Sequence, residues 1–200
     1  FTDALSHDLR SPLSVIGGRL QLYRATGEPE HLDRIERTTE RMERLVEDLL
    51  RVARSGEVLE EPDPTLIGDV LETAREGTLP ASATCEYDSV RPLVADADRL
   101  VQAFENLLQN SVNHGGEDVT VRVGPMENGF YVEDDGPGIP EAVRERMFEH
   151  GYTTRGDGMG YGLSIVRSIV DAHGWGLAVT ESEGGGARFE VTGADFVRDR

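Results

Sequence analysis

The chain contains 200 residues, which is enough for one or two domains with hydrophobic cores. Its 38 acidic residues outnumber its 20 basic residues, all of them arginine, and the formal net charge is -18. This charge argues against a nucleic-acid partner, because a polyanion would be repelled. It favours adaptation to a high-salt cytoplasm, where salt screens self-repulsion, although GC-rich coding explains arginine in place of lysine equally well.

Cys85 is the only cysteine, which rules out an internal disulfide and a thiolate metal cluster. The five histidines have no ligand spacing, which argues against a structural metal. No apolar run approaches the roughly 18 residues that a membrane span requires, and no signal peptide is apparent. Because a helical pattern is already under way at Phe1, we expect a cytoplasmic fragment, with any membrane anchor of the full-length protein upstream.

Residues 1–56 are predicted to form a helical hairpin, with a Gly- and Pro-containing turn at 25–30. The second arm carries a heptad seam at Ile35, Thr38, Met42, Leu45, Leu49 and Val52. A matching stripe on the first arm consists of Leu5, Leu9, Pro12 and Ile16, continued loosely by Leu20 and Tyr23. Two helices cannot fill a core alone, so the pattern predicts a homodimer with an antiparallel four-helix bundle. Packing against another domain is the alternative.

His7 stands in the run Ser6-His7-Asp8-Leu9-Arg10-Ser11-Pro12 on the first arm. The heptad register predicts that it faces water and that Ser11 lies one turn further along the same face. Pro12 removes a hydrogen bond and bends the helix at the next turn. An exposed histidine is usually only a solvated residue, but the neighbouring acid and the kink indicate a functional position.

Residues 57–64 are acidic, contain two prolines and are predicted to form a linker. Residues 65–200 then alternate between helices and strands. Helices are predicted near 65–76, 96–113, 140–147 and 160–173, and strands near 83–88, 92–95, 118–124, 129–134, 175–182 and 187–193. This order predicts an α+β domain in which helices cover one face of a mixed sheet.

Three amides are spaced i, i+4, i+7 on the predicted helix at 96–113 and therefore share one face: Asn106, Asn110 and Asn113. Buried amides need partners, and a solvated face more often carries charge. Neutral oxygens suit Mg²⁺, which takes oxygen ligands while it bridges phosphates. The alternative is a set of helix-end amides on a wet surface.

Two glycine-bearing segments follow. Residues 134–138, Asp-Asp-Gly-Pro-Gly, end a strand, where a carboxylate can accept from an exocyclic amino group such as that of adenine. Residues 156–163 run into a helix, and the amides of such a loop form an anion site for phosphates. An apolar anchor, two hydroxyls and a cation lie between them, at Phe148, Thr153, Thr154 and Arg155. Each signal is weak alone, because such turns and loops are common.

In this order, the histidine, amide face, Asp-Gly-x-Gly turn and glycine-rich loop resemble the sensor histidine kinase family. The resemblance covers essentially all 200 residues, and that family's ATP domain has the Bergerat fold of the gyrase, mismatch-repair and heat-shock ATPases. It implies a dimerisation and phosphotransfer hairpin at 1–56 and an ATP-binding domain at 65–200. It also implies ATP and Mg²⁺ as cofactors and a response-regulator receiver domain as partner.

The resemblance also implies roles for individual residues. His7 would be the phosphoacceptor, and Asp8 would help to deprotonate it. Asn110 would be the chief Mg²⁺ ligand, assisted by Asn106, and Asp135 would bind adenine. Gly136 and Gly138 would form the wall of the adenine pocket. The phosphate loop would contain Gly158, Gly160 and Gly162 and end at Leu163, with an ATP lid between Phe148 and Gly158.

The sequence departs from the family pattern at several positions. Asn113 and His114 occupy positions where the family usually has Lys and an aromatic residue. Ser11 stands four residues after the histidine, where the family often has Thr or Asn linked to phosphatase activity. Gly174-Trp175 replaces what is often a glycine pair. Asn106 occupies the position at which the hydrolysing relatives carry a glutamate that activates water.

The combined pattern predicts a histidine kinase that autophosphorylates His7 and passes the phosphoryl group to an aspartate of a receiver domain. Two alternatives remain open from the sequence. One is a plain Bergerat ATPase. The other is a dimeric scaffold or phosphatase for a response regulator, which binds ATP without kinase activity.

Overall fold

The computed structural model describes residues 2–40, 42, 62–149, 152–153 and 160–197, with side chains from residue 11 onward. The chain divides into two compact units, residues 1–51 and residues 52–200. The described part of the first unit is helical, and the described part of the second combines helices with strands.

The first unit is a helical hairpin, as predicted. Helix α1 spans Thr2–Thr26, and the described part of helix α2 covers residues 30–40 and residue 42. Between them, Gly27 adopts a φ of 71°, a left-handed conformation that favours glycine. The nearly buried His31 closes the turn, with its Nδ1 3.3 Å from Arg19 Nη1 and its Nε2 3.5 Å from Glu28 Oε2.

The half-buried side chains of the hairpin follow the predicted heptad spacing wherever side chains are described. They are Pro12, Ile16, Arg19, Tyr23, Ile35, Thr38 and Met42. One position differs from the prediction, because Leu20 is 39% exposed and Arg19 takes its place in the stripe. A 4-3-4 spacing from Pro12 passes through residue 19, and the aliphatic stem of an arginine can cover apolar surface at such a position. Leu5, Leu9, Leu45, Leu49 and Val52 lie outside the described side chains.

The second unit has the predicted α+β organisation, and the ends of its elements differ from the predicted ones by at most three residues. Its strands are β1 (Asp63–Thr65), β2 (Thr84–Tyr87), β3 (Leu93–Ala95), β4 (Thr120–Met126), β5 (Gly129–Asp134), β6 (Gly176–Glu181) and β7 (Ala187–Thr192). Its helices are α3 (Ile67–Arg75), α4 (Ala97–Gly115), α5 (Glu141–Arg144) and α6 (Gly162–Ala172), with a 3-10 turn at Arg146–Phe148.

Five strands form one mixed sheet in the order β2-β4-β5-β7-β6. Strand β2 runs parallel to β4, and the other neighbours are antiparallel. Strands β1 and β3 form a separate antiparallel pair that the sequence did not predict. Asp63 and Pro64 of the predicted linker belong to this pair. So does Thr65, and helix α3 therefore begins at Ile67 rather than at residue 65.

Helices α3, α4 and α6 supply one side of the hydrophobic core, and the sheet supplies the other. Alternate residues of the central strands face these helices: Val121 and Val123, Phe130 and Val132, Phe189 and Val191. The Phe104 ring of α4 stacks on Phe130, with centroids 5.8 Å apart. Complete burial of such a side chain contributes about 1.5 to 3 kcal/mol, so this layer holds α4 in place against β5.

The opposite face of the sheet carries charge pairs across neighbouring strands. Arg122 lies 2.8 Å from Glu86 and 3.5 Å from Glu133. Arg188 lies 2.8 Å from Glu133 and 2.9 Å from Glu190. Burial alone would lower the pKa of Arg188, but its hydrogen bonds to the two glutamates raise it above the usual value. The ladder therefore ties β2, β4, β5 and β7 together in one register.

Among the described residues, none of the helices combines the length and the apolar character of a membrane span.

Candidate functional site

The amides predicted on α4 lie beside the first turn of α6. A Cβ atom added to Gly162 would be 3.0 Å from Asn106 Oδ1 and 3.8 Å from Asn110 Nδ2. Glycine at this position therefore allows the backbone at the start of α6 to approach both amides. The approach brings an amide oxygen and an amide nitrogen next to the first turn of α6, whose N–H groups have no intrahelical partner.

The two amides differ in their bonding. Asn106 donates through Nδ2 to Gln102 O at 2.8 Å. Asn110 Nδ2 is buried and has no hydrogen-bond partner in the described structure. A buried amide without a partner is costly and is typical of a group that awaits a ligand. Asn110 is therefore the residue of α4 with the clearest capacity to bind one.

Asn113, the third predicted amide, does not reach this position. Its side chain is exposed, and its Oδ1 accepts a hydrogen bond of 3.3 Å from Gln109 Nε2. The three amides share a side of the helix, but α6 begins opposite only the first two.

Asp134, rather than the predicted Asp135, points toward α4. Its Oδ2 accepts a hydrogen bond of 3.1 Å from Ser111 Oγ, and its Oδ1 accepts from the N–H groups of Gly136 and Ala187, both at 3.0 Å. Asp135 is exposed, and its Oδ1 accepts from Thr120 N–H at 2.8 Å. The inward carboxylate is therefore one residue earlier than the sequence analysis assigned it.

Close glycine contacts surround Asp134. A Cβ atom on Gly136 would lie 3.2 Å from Gly115 Cα, and one on Gly138 would lie 2.6 Å from Gly185 O. A Cβ atom on Gly186 would collide with Asp134 O. Gly138 also has a φ of 71°. These positions need glycine because the β5–α5 turn approaches both the end of α4 and the β6–β7 turn. Gly136 and Gly138 therefore lie against neighbouring backbone, and their role as the wall of an adenine pocket stays a prediction.

Phe148, which precedes the glycine-rich loop, lines a groove that does not include the amides of α4. Phe148 packs against the core, and Arg167 lies over its ring at 5.6 Å from the centroid. The two residues line a surface groove of about 530 Å³ together with Arg144, Glu145, Glu149, Leu177 and Val179. None of the amides of α4 lines this groove, so the structure does not bring Phe148 to the amide face.

The glycine-rich loop is described only at its end. Thr154, Arg155 and Gly158 lie outside the described residues, and Thr153 is exposed. Gly160, two residues before the first residue of α6, has a φ of 70°, and Leu163 packs partly against the core. Of the predicted loop glycines, Gly162 is thus the one seen next to the amides.

The predicted phosphoacceptor region lies in the first unit. His7, Asp8 and Ser11 all belong to α1. Ser11 is exposed, while the side chains of His7 and Asp8 lie outside the described residues. Pro12 is inside the helix, as expected.

Asp134, Ser111 and Ser182 belong to this candidate site but were not singled out from the sequence. Strand alternation would have indicated Asp134, because Phe130, Val132 and Asp134 follow one another at intervals of two. The contribution of Ser182 could not be read from local sequence, since its hydroxyl donates to Asp134 O across 48 residues, at 2.8 Å.

Two family models match the chain. The histidine kinase-, DNA gyrase B- and HSP90-like ATPase family matches residues 95–194, and the phosphoacceptor domain family of histidine kinases matches residues 1–58. The sensor histidine kinase ZraS of Escherichia coli O157:H7 is 32% identical over 204 residues. That match covers 94% of this chain and 44% of ZraS, so the chain spans less than half of that relative's length.

Solved structures of histidine kinases are also similar to this chain. Histidine kinase ThkA, in a complex with the response regulator protein TrrA, is 25% identical with a TM-score of 0.77. It covers 97% of this chain, and the match covers 60% of ThkA. Full-length ShkA in complex with AMPPNP is 28% identical with a TM-score of 0.66, covering 98% of this chain and 46% of ShkA. The chain therefore belongs to the histidine kinase-, DNA gyrase B- and HSP90-like ATPase family and is a sensor histidine kinase catalytic core.

Proposed function

We propose that the chain transfers the γ-phosphoryl group of ATP to His7 and then to an aspartate on a response-regulator receiver domain. The observation that carries this proposal is the buried amide nitrogen of Asn110, which has no hydrogen-bond partner among the described residues and lies beside the N-terminus of α6. This arrangement combines a ligand group with backbone donors suited to phosphate. ShkA, a structure similar along nearly the whole chain, was solved with the ATP analogue AMPPNP.

The base of ATP would bind at Asp134. Its carboxylate is oriented by three hydrogen bonds and lies between α4 and the glycine wall formed by Gly136 and Gly138. An oriented acceptor of this kind suits the amino group of adenine. The phosphate side would be completed by backbone and side-chain groups from Thr153, Thr154, Arg155, Gly158, Gly160 and Gly162.

The residues of α4 fit Mg²⁺. Asn110 offers its Oδ1 as an oxygen ligand, and its unpartnered Nδ2, a donor, could meet a phosphate oxygen. Asn106 Oδ1 accepts no hydrogen bond from the described residues, while its Nδ2 donates to Gln102 O. Neutral oxygen ligands together with phosphate oxygens satisfy this ion, which retains waters. When bound, Mg²⁺ would neutralise charge on the transferring phosphoryl group. Asn110 would be the main protein ligand, and Asn106 would assist it.

The chemical step would use neutral His7 as the nucleophile. A ring nitrogen of His7 forms a bond to the γ-phosphorus, the bond from that phosphorus to the bridging oxygen breaks, and ADP leaves with its electron pair. Asp8 accepts the proton that the imidazole loses. An unperturbed histidine titrates near a pH of about 6.5, so the neutral form is available at neutral pH.

Phosphoryl transfer is favoured over hydrolysis by the residue at position 106. The hydrolysing relatives carry a glutamate four residues before the Mg²⁺ asparagine, whereas this chain carries Asn106, an amide that cannot accept a proton from water. Glu105 is adjacent, but one residue rotates a side chain by about 100° around a helix. Without a base for water, ATP remains intact until histidine attacks.

A second copy of the chain would pair with the hairpin to form a four-helix bundle. Several large apolar side chains are exposed on it when one copy is considered alone: Leu13, Val15, Leu20, Leu22 and Leu32. A four-helix bundle would bury them. The domains would be a dimerisation hairpin at 1–56, a linker at 57–64 and a nucleotide-binding domain from residue 65. A receiver domain is the expected partner because ThkA was solved in complex with the response regulator protein TrrA.

The test is a labelling experiment. The purified chain is incubated with γ-labelled ATP and Mg²⁺, beside His7→Gln and Asn110→Ala variants. We expect acid-labile label on the wild-type protein and none on either variant. Ser14→Ala, an exposed change on the same helix, is the matched control and should still label. Acid-stable label, or label that persists in His7→Gln, would refute histidine transfer. Steady phosphate release without labelled protein would identify an ATPase instead.

A phosphatase or scaffold role is a second candidate, and the exposed hydroxyl of Ser11 favours it. A hydroxyl on α1 four residues from His7 can orient a water molecule toward a phosphorylated receiver domain. We would compare the lifetime of a phosphorylated receiver in the presence of wild type, Ser11→Ala and Ser11→Thr. Loss of dephosphorylation in the alanine variant alone, with no labelling of His7 in wild type, would favour this role.

A further inference from the structure

We propose that Ser111 is a positioning residue that gives the site its selectivity for a base with an exocyclic amino group, because it holds the carboxylate of Asp134. This inference rests on the proposed function, since it takes an adenine nucleotide as the ligand. Ser111 directly follows Asn110 on α4 and is only 4% exposed.

The Ser111 hydroxyl has two acceptors within reach. Its Oγ lies 3.1 Å from Asp134 Oδ2 and 3.2 Å from Leu107 O. A hydroxyl has one hydrogen to donate. The ionised carboxylate is the stronger acceptor, and Leu107 O also serves the helix, so the hydrogen goes mainly to Asp134.

The carboxylate of Asp134 is nearly saturated by the protein. Oδ1 accepts two backbone N–H groups, from Gly136 and Ala187. Oδ2 accepts only the Ser111 hydroxyl among the hydrogen bonds of the described residues. A carboxylate oxygen accommodates about two donors. One acceptor position therefore remains, on Oδ2, and its direction depends on Ser111.

A second serine fixes the backbone of the same residue. Ser182 Oγ donates to Asp134 O at 2.8 Å and accepts from Gly186 N–H at 2.9 Å. With the main chain held by Ser182 and Oδ1 held by two amides, rotation of the carboxylate group is the remaining freedom. Ser111 restricts that rotation. The two serines thus have different roles, and only Ser111 contacts the oxygen that is free to meet a base.

Selectivity follows from the remaining acceptor. An amino group on the base donates to the second acceptor position of Oδ2, whereas a base that lacks the amino group covers this position and leaves it unfilled. Without the Ser111 hydroxyl, the orientation of Asp134 Oδ2 is no longer fixed. The hydrogen bond from the amino group of the base then contributes less to affinity. Removal of the hydroxyl should therefore weaken binding of an amino-bearing nucleotide and leave a deamino analogue almost unaffected. A role limited to helix packing would weaken both ligands equally.

The experiment compares two ligands and several variants of the 200-residue chain by calorimetric titration with Mg²⁺. The ligands are ADP, which has no γ-phosphoryl group to transfer, and purine riboside diphosphate, which lacks the amino group. Ser111→Ala removes the hydroxyl, and Ser111→Thr retains it. Ser164→Ala is the matched control, because Ser164 is also a buried helical serine and its hydroxyl donates to Tyr161 O at 2.8 Å.

We expect the wild type to prefer ADP by about tenfold, the value of one hydrogen bond to a charged group. In Ser111→Ala this preference should fall to about twofold or less, through weaker ADP binding, while Ser111→Thr and Ser164→Ala keep it. If Ser111→Ala fails to fold, Ser111→Cys replaces the hydroxyl with a similar-sized but weaker donor and should show an intermediate preference.

An unchanged preference in Ser111→Ala, or an equal loss of affinity for both ligands, would overturn the inference. So would a wild-type protein that binds both ligands equally tightly, and in that case the proposed nucleotide site itself would stand. Failure of the wild type to bind ADP at all would refute the proposed function and this inference with it.

Discussion

His173 accepts a hydrogen bond of 3.1 Å from the backbone N–H of Asp96 through Nε2. Its other ring nitrogen, Nδ1, must then carry the hydrogen in the neutral ring, and it donates to Ile169 O at 2.7 Å. Asp96 is the N-cap of α4, and the Asp96 side chain accepts a hydrogen bond of 3.1 Å from Arg99 N–H. The end of α6 is thus joined to the start of α4, and these are the helices that carry Gly162 and the asparagine pair.

Replacement of His173 by phenylalanine should lower the free energy of unfolding by about 1 to 3 kcal/mol, because the Asp96 N–H loses its partner. The aromatic ring preserves stacking on Trp175, whose ring centroid is 4.4 Å away. Urea denaturation of the two proteins measures the difference. Ala172→Ser, an exposed change one residue earlier, should have little effect. A loss below about 0.5 kcal/mol, within the range of surface substitutions, would show that the link is unimportant.

Gly162→Ala should weaken nucleotide binding while the fold remains. The new methyl group would stand 3.0 Å from Asn106 Oδ1, which is tighter than most real Cβ contacts, so the amide must shift. We expect a loss of at least about tenfold in affinity for ADP with Mg²⁺, since a ligand group displaced by a few tenths of an ångström loses its geometry. Gly17→Ala is the control, because a Cβ atom added to that helical glycine would meet no other group within 4 Å. Equal affinity in wild type and Gly162→Ala would contradict this geometry.

Asn110→Ala should leave stability unchanged or increase it by up to about 1 kcal/mol, although it removes labelling of His7. The reason is that a buried amide without a partner costs free energy. Thermal unfolding without ligand and ADP titration are measured on the same samples. Asn113→Ala, an exposed amide on the same helix, should change both far less. A marked loss of stability in Asn110→Ala would mean that the amide has a structural role.

Arg188→Met should destabilise the second unit by about 1 to 3 kcal/mol, because Glu133 is left with a weaker partner. The Glu133 side chain is only 9% exposed, and Arg122 remains at 3.5 Å from it. Arg188 also lies over the Tyr131 ring, 3.7 Å from its centroid. Arg75→Met is the matched control, since its pair with Glu72 is largely exposed and worth little. Equal destabilisation by both changes, measured by urea denaturation, would count against the ladder.

Alkylation of Cys85 should be slow at pH 8 and should accelerate at higher pH than for a free thiol. Burial raises the pKa of this half-buried thiol, Arg75 lowers it in part, and Glu72 raises it. The raised pKa means that less thiolate, the reactive form, is present at a given pH. Because the folded protein binds this proton more tightly, the contribution of the thiol to stability is complete below its unfolded pKa. It is lost as pH rises through the folded pKa. The rate of iodoacetamide labelling against pH, compared with denatured protein, measures the shift. Coincident profiles would contradict it.

Much of the architecture was predictable because local spacing controls it. The heptad pattern predicts the hairpin, and the change to alternating helices and strands predicts the second unit. Strand β3 was predicted near residues 92–95, but its partner β1 was missed, because a three-residue strand around Pro64 carries too few positions for a period to appear. Arg19 was missed in the hairpin seam because an arginine stem can cover an apolar stripe that sequence reasoning assigns to leucine.

By itself, the sequence determined which residue types were available and in what order: a histidine near the start, amides on one helix face, and glycines at two turns. Tertiary structure alone decided which of these meet. It placed Asn106 and Asn110, but not Asn113, against Gly162, and it selected Asp134 over Asp135. The physical reason is that a helix or strand period defines a shared face. The partner of that face is set by packing between segments far apart in the chain, such as Ser182 and Asp134.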